Sequence, residues 1–119
     1  MIRTTARKVA FGRAIGRFQA IRHKLAEIGV KLEAGRSLTY AALRRYAAGE
    51  DATREVTMAK LLTQRAAVEV ADECLQIHGG YGYMREYGIE RALRDLRLGP
   101  IGGGTEEVMR EILGRGLGL

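Results

Sequence analysis

The string Gln76-Ile77-His78-Gly79-Gly80-Tyr81-Gly82-Tyr83 is the most distinctive place in this chain for chemistry to occur. Two adjacent glycines leave bare backbone, so a flat or phosphorylated ligand can come within hydrogen-bonding distance of the main chain. The same pair after a helix also serves as a plain C-terminal cap. No Gly-Lys-Ser/Thr follows, so the string is not a P-loop, and no strand precedes it as a dinucleotide fingerprint requires. Cys74 and His78 are four residues apart and share a helix face, but two ligands do not make a zinc site, and His23 belongs to another helix. A Cys74–His78 nucleophile would need a third group to orient the base, and none is identifiable. Neither a metal site nor thiol catalysis is expected.

Two further clusters carry charge or exposed amides. Arg85, Arg91, Arg94 and Arg97 interleave with Glu86, Glu90 and Asp95, which reads as an ion-paired, solvated surface. Nucleic-acid binding would want a patch of one sign, so it is not expected here. Gly102, Gly103 and Gly104 precede Thr105-Glu106-Glu107, which makes a helix N-terminus that a ligand can reach. Its amides favour an anion, while the two acidic residues oppose one.

The elements that must position these groups are helical. Phe18, Ile21, Leu25, Ile28, Leu32, Gly35, Thr39, Ala42 and Tyr46 recur at alternating spacings of 3 and 4, which places all nine on one stripe of a long helix. The stripe stays in phase across Gly29 and Gly35, so one helix is expected, with those glycines as its bend points. Gly49-Glu50-Asp51 breaks the pattern and offers Asp51 as the N-cap of a second long helix. That helix carries Ala59, Leu62, Ala66, Val70, Cys74 and Ile77 on one side, opposite Arg65, Glu69, Asp72, Glu73 and Gln76, and ends at a left-handed Gly79-Gly80. Tyr81–Glu86 reads as a turn, Gly88 to Arg97 as a short charged helix, and Gly99 to Gly104 as a flexible connector. Thr105 caps a last helix to about Arg115. An all-α, four-helix-bundle-like architecture follows, two long antiparallel helices plus short ones. Ala6–Phe11 reads as the tail of a helix. The apolar stripes exceed what these helices can cover among themselves, so an oligomer or a piece of something larger is expected.

Composition sets the outer bounds. The 119 residues fit one domain, and 46% hydrophobic with 29% charged residues is globular composition. Twenty Lys and Arg against fourteen Asp and Glu give +6. Only Lys8, Lys24, Lys31 and Lys60 are lysines; the arginine majority suits bidentate contact with carboxylate or phosphate. The single Cys74 excludes an internal disulfide. No secretory h-region and no run of about 20 apolar residues is present, so a soluble, cytoplasmic protein without membrane partners is expected.

In order and spacing, Phe11-Gly12 with Gln19 eight residues on, Gln76–Tyr83, Arg94-Asp95, and Gly104-Thr105 before a helix resemble the C-terminal helical domain of flavin-dependent acyl-CoA dehydrogenases. The resemblance spans roughly residues 5 to 115. It implies a bundle that forms one wall of an FAD site and the main subunit interface, as a homodimer or homotetramer. It also implies α,β-dehydrogenation of acyl-CoA thioesters, with electron-transferring flavoprotein as the partner of a complete enzyme. Carried over by position, Phe11 and Gln19 approach the FAD of a neighbouring subunit. Gln76, Gly79 and Gly80 meet the cofactor from the other subunit of the pair, and Thr105 and Glu107 lie near its phosphate and adenosine portion.

Three departures qualify that expectation. Lys8 stands where an arginine usually pairs with the FAD pyrophosphate, which keeps the charge but loses the fork. Gly103 stands where the catalytic glutamate is most often found, as in the long-chain and isovaleryl-type branches, so no catalytic residue can be assigned here. The N-terminal helical and middle β domains of the family are not in these 119 residues. The whole chain, residues 1–119, therefore reads as the C-terminal domain truncated on its N-terminal side, inactive alone and completed by the missing domains in trans. A non-catalytic helical self-association module is the alternative.

Overall fold

The computed structural model describes residues 7–118. Helix α1 runs Gln19–Ala47 and α2 runs Thr53–His78. They are antiparallel: Lys24 pairs with Glu73, Lys31 with Glu69, and Gly35 meets Thr63. Small residues allow the two backbones to approach. Ile28, Gly35 and Ala42 are buried at seven-residue intervals on α1, and Ala59 and Ala66 on α2. A Cβ on Gly35 would sit 3.1 Å from the Thr63 methyl, so the seam has no room for a larger residue there.

Three shorter helices complete the described chain: α3 (Gly80–Tyr83), α4 (Ile89–Leu96) and α5 (Glu106–Arg115). The all-α expectation holds, with α2 as the shared spine against which α1, α4 and α5 each pack. Ile28, Cys74 and Ile89 form the buried cluster where α1, α2 and α4 meet. The radius of gyration is 17.3 Å, against the roughly 13.5 Å of a compact domain of this length. The core is correspondingly thin, and part of the α1 stripe lies bare. Leu32, Thr39 and Tyr46 are exposed because α1 has only α2 to cover it.

Four local readings differ from expectation. Ala6 lies outside the described residues, but Arg7–Phe11 is not helical. Val9–Ala10 and Arg13–Ala14 form a small antiparallel hairpin. Its turn residues Phe11 and Gly12 both take positive φ, 53° and 76°, as the twist of a two-residue hairpin demands. Asp51 is not the N-cap; the helix starts one residue later, at Thr53, and Asp51 Oδ1 accepts the Thr53 N–H at 2.9 Å. Gly79 has the expected positive φ of 60° but ψ of −145°, outside the left-handed region, because the chain must turn back at once into α3. The Tyr81–Glu86 turn is the end of that helical turn followed by a 3₁₀ turn at Arg85–Tyr87. A Cβ on Gly82 would lie 2.6 Å from the Leu75 carbonyl oxygen, so glycine is what lets α3 fold onto α2.

Candidate functional site

The expected ligand-contacting residues gather at two places along α2, its C-terminal end and its middle turns. At its C-terminal end, Lys8 Nζ donates to the His78 carbonyl at 3.0 Å and lies 4.4 Å from the centre of the Tyr81 ring. An ammonium there also satisfies the negative end of the helix dipole. This pins the hairpin beside Gly79 and Gly80. Around each of these glycines a Cβ would find nothing within 4 Å, so their backbone faces open space. Gln76 is exposed next to them. Tyr81 and Tyr87 pack at 5.2 Å and line a hollow with Gly80 and Met84.

Phe11 is the most conspicuous residue of this end. It is 94% exposed and occupies a backbone region that bulky residues avoid. Its only ring neighbour among the described residues is Phe18, edge-on at 6.2 Å, itself covered by Arg13 at 3.9 Å. Gln19 follows Phe18 at the start of α1 and is exposed at the same end. Lys8, Gly79 and Gly80 thus lie together at this end of α2, with Phe11, Gln19 and Gln76 exposed around them.

Thr105 and Glu107 stand beside the middle of α2, near Arg65, Val68 and Glu69. Thr105 Oγ1 accepts the Val108 N–H at 3.4 Å as the N-cap of α5. A cavity of about 310 Å³ lies beside it, lined by residues including Arg65, Arg97, Pro100 and Glu106. The Glu107 carboxyl is held below the usual carboxylate range, first by its own backbone N–H and then by the Thr105 hydroxyl. Lys60 of α2 donates to the carbonyls of Gly102, at 3.0 Å, and Gly104. From Lys60 to His78 is eighteen residues of unbroken helix, or about 27 Å. One chain therefore presents two separate sets of candidate contacts along one rod, one at its C-terminal end and one beside its middle turns.

Gly103 has no side chain, and the carboxyls of Asp51, Glu69 and Glu107 are all displaced downward, the wrong direction for a base. In the Cys74–His78 pair, His78 Nδ1 bonds the Cys74 carbonyl at 2.8 Å, and burial pushes the Cys74 thiol up. Among the described residues no cluster of three His, Cys, Asp or Glu stands ready for a metal, and no helix is long and apolar enough to cross a membrane. The interleaved charges of α4 pair along the helix, Arg91 with Asp95 and Arg94 with Glu90.

Sequence reasoning overlooked Lys60 and the Tyr81–Tyr87 pair. Lys60 carried a faint signal, a cation next to the buried Ala59; the ring pair carried none, since its packing depends on how α3 turns back.

Comparison with known proteins agrees with this architecture. The family pattern described as acyl-CoA dehydrogenase, C-terminal domain, matches residues 1–118. The 3-(aryl)acrylate reductase of Clostridium sporogenes is 43% identical over 107 residues, 90% of this chain and 28% of that protein. An acyl-CoA dehydrogenase of Bacillus subtilis is 42% identical over 108 residues, 91% of this chain and 28% of its own length. The solved butyryl-CoA dehydrogenase of Megasphaera elsdenii superposes with a TM-score of 0.95 at 35% identity, covering 99% of this chain and 31% of that one. The chain thus spans little more than a quarter of the length of these curated relatives.

Proposed function

The chain belongs to the acyl-CoA dehydrogenase family, as its C-terminal domain, and from that premise we propose that it is the FAD-contacting, self-associating part of an enzyme that dehydrogenates acyl-CoA thioesters. The observation that carries this reading is the division of the candidate contacts into two sets, Lys8, Gly79 and Gly80 at the C-terminal end of α2 and Thr105 and Glu107 beside its middle turns. Two copies related by a two-fold axis would present both sets twice and so build two equivalent sites.

The residues present suit such a cofactor. The bare backbone of Gly79 and Gly80 accepts close approach, since nothing lies where their Cβ atoms would be. Exposed Phe11 offers an apolar surface to a flat ring system, and exposed Gln19 and Gln76 offer amide donors and acceptors. Lys8 offers positive charge to a pyrophosphate, but as a point charge already engaged by the His78 carbonyl. Thr105 offers a hydroxyl at the amide-rich start of α5. FAD, when bound, supplies the acceptor for the hydride that leaves the β carbon. The α-proton acceptor must come from outside these residues, which supports inactivity of the chain alone and a place in the long-chain or isovaleryl-type branch, where Gly103 has its counterpart.

Co-expression with the preceding domains of a relative tests the reading. A complex is expected that retains FAD and loses its visible flavin absorbance on addition of acyl-CoA, with electron-transferring flavoprotein reoxidising it. A complex that never holds flavin would refute it. The exposed apolar face of α1 favours a second reading, a self-association module indifferent to flavin. FAD at a hundredfold excess over its Kd would add about 2.7 kcal/mol to a flavin-binding fold and nothing to that module.

A further inference from the structure

Gly103 and Gly104 take φ of 62° and 93°, so the turn before α5 needs a backbone that glycine alone adopts readily. Such a turn loses much conformational freedom when it is ordered, and the backbone of glycine has no side-chain packing to compensate. Lys60 supplies the compensation. Its half-buried ammonium donates to the carbonyls on both sides of Gly103, those of Gly102 and Gly104, and charge-assisted bonds of this kind are about twice as strong as neutral ones. A Cβ on Gly103 would have only Lys60 Cε within 4 Å, which puts the lysine stem directly against the turn. From the far side, the Glu106 N–H closes onto the Pro100 carbonyl at 3.2 Å. Thr105 lies between these two ties.

We propose that Lys60 is a positioning residue: by clamping the Gly102 and Gly104 carbonyls it fixes the turn and so sets where Thr105 and the first amides of α5 point. This deepens, and rests on, the reading of Thr105 as a cofactor contact. The lysine acts through the turn and touches no reacting atom.

Amide hydrogen exchange on the 119-residue chain tests the clamp without flavin. Lys60→Met, which keeps the stem and removes the donors, speeds exchange at residues 103–108 about tenfold while residues 70–78 keep their protection. Lys60→Arg, which keeps charge and donors, restores most of that protection. Unchanged exchange at 103–108 in Lys60→Met overturns the proposal, as does uniform loss of protection along the chain, which would make Lys60 an ordinary stability contact. Should Lys60→Met fail to fold, Lys60→Gln is read in the same way. In the flavin-loaded complex with the preceding domains, Lys60→Met also weakens FAD affinity; undiminished affinity with a loosened turn overturns the positioning role. A wild-type complex without flavin instead refutes the cofactor reading and leaves the exchange result standing.

Discussion

The ammonium of Lys8 lies 3.0 Å from the carbonyl oxygen of His78, tying together residues seventy positions apart. This bond and the contact of Lys8 with the Tyr81 ring tie the hairpin to the end of α2. Lys8→Met is expected to release it. Limited proteolysis within residues 9–14 accelerates several-fold, while global stability falls by no more than about 1 kcal/mol, the usual worth of a partly exposed hydrogen bond. Equal protease resistance in wild type and variant would contradict the latch.

Phe11 trades stability for display. Phe11→Asn places an Asn-Gly pair in the turn, the pairing that positive φ at both positions favours, and relieves about 1 kcal/mol of strain. Thermal unfolding of the chain should move upward. Flavin retention by the reconstituted complex should move the other way, because the apolar ring is gone. A rise in both would remove Phe11 from the site.

Two glycines make opposite predictions. Gly29 lies within α1 with nothing within 4 Å of its missing Cβ, so Gly29→Ala stabilises by about 1 kcal/mol. Gly82→Ala drives a methyl to within 2.6 Å of the Leu75 carbonyl oxygen, with a cost of about 1–3 kcal/mol. Denaturant midpoints of the two variants, shifting in opposite directions, check both.

Leu43 and Tyr46 are 55% and 74% exposed on the uncovered side of α1. If copies of the chain associate through this face, Leu43→Glu lowers the mass found by sedimentation while helical content stays constant. A chain that is already monomeric at high concentration would contradict self-association there.

Burial raises the pKa of the Cys74 thiol above its ordinary value, so the thiol stays protonated in the fold when the unfolded chain has begun to ionise. Stability is complete below the unfolded-state pKa and declines as pH climbs from there through the higher folded value. Above about pH 9 wild type should lose stability faster than Cys74→Ala, as measured by urea midpoints.

The long helices were readable because their apolar positions recur with helical period, and the caps because Gly79, Thr105 and the glycine turn are chemical stop and start signals. The hairpin was not: Val9, Ala10 and Phe11 have no period long enough to separate a helix end from a strand, and only the turn geometry decides. The candidate site residues could be named from the family resemblance, but their grouping could not. Whether Lys8 stands beside His78 depends on the antiparallel pairing of α1 with α2, and the bond of Lys60 to the Gly102 carbonyl spans forty-two positions. Pattern within a segment says nothing about such distances.

Helix α2 also works as a ruler. The turn held by Lys60 and the Lys8–His78 tie are both fixed to one continuous rod, so a single inserted residue between them would lengthen the interval by about 1.5 Å and swing one by about 100° relative to the other. Loops elsewhere absorb insertions gradually; here even one would rotate one half of the site out of alignment. Between Lys60 and His78 the chain should tolerate exchange of side chains far more readily than any change in their number.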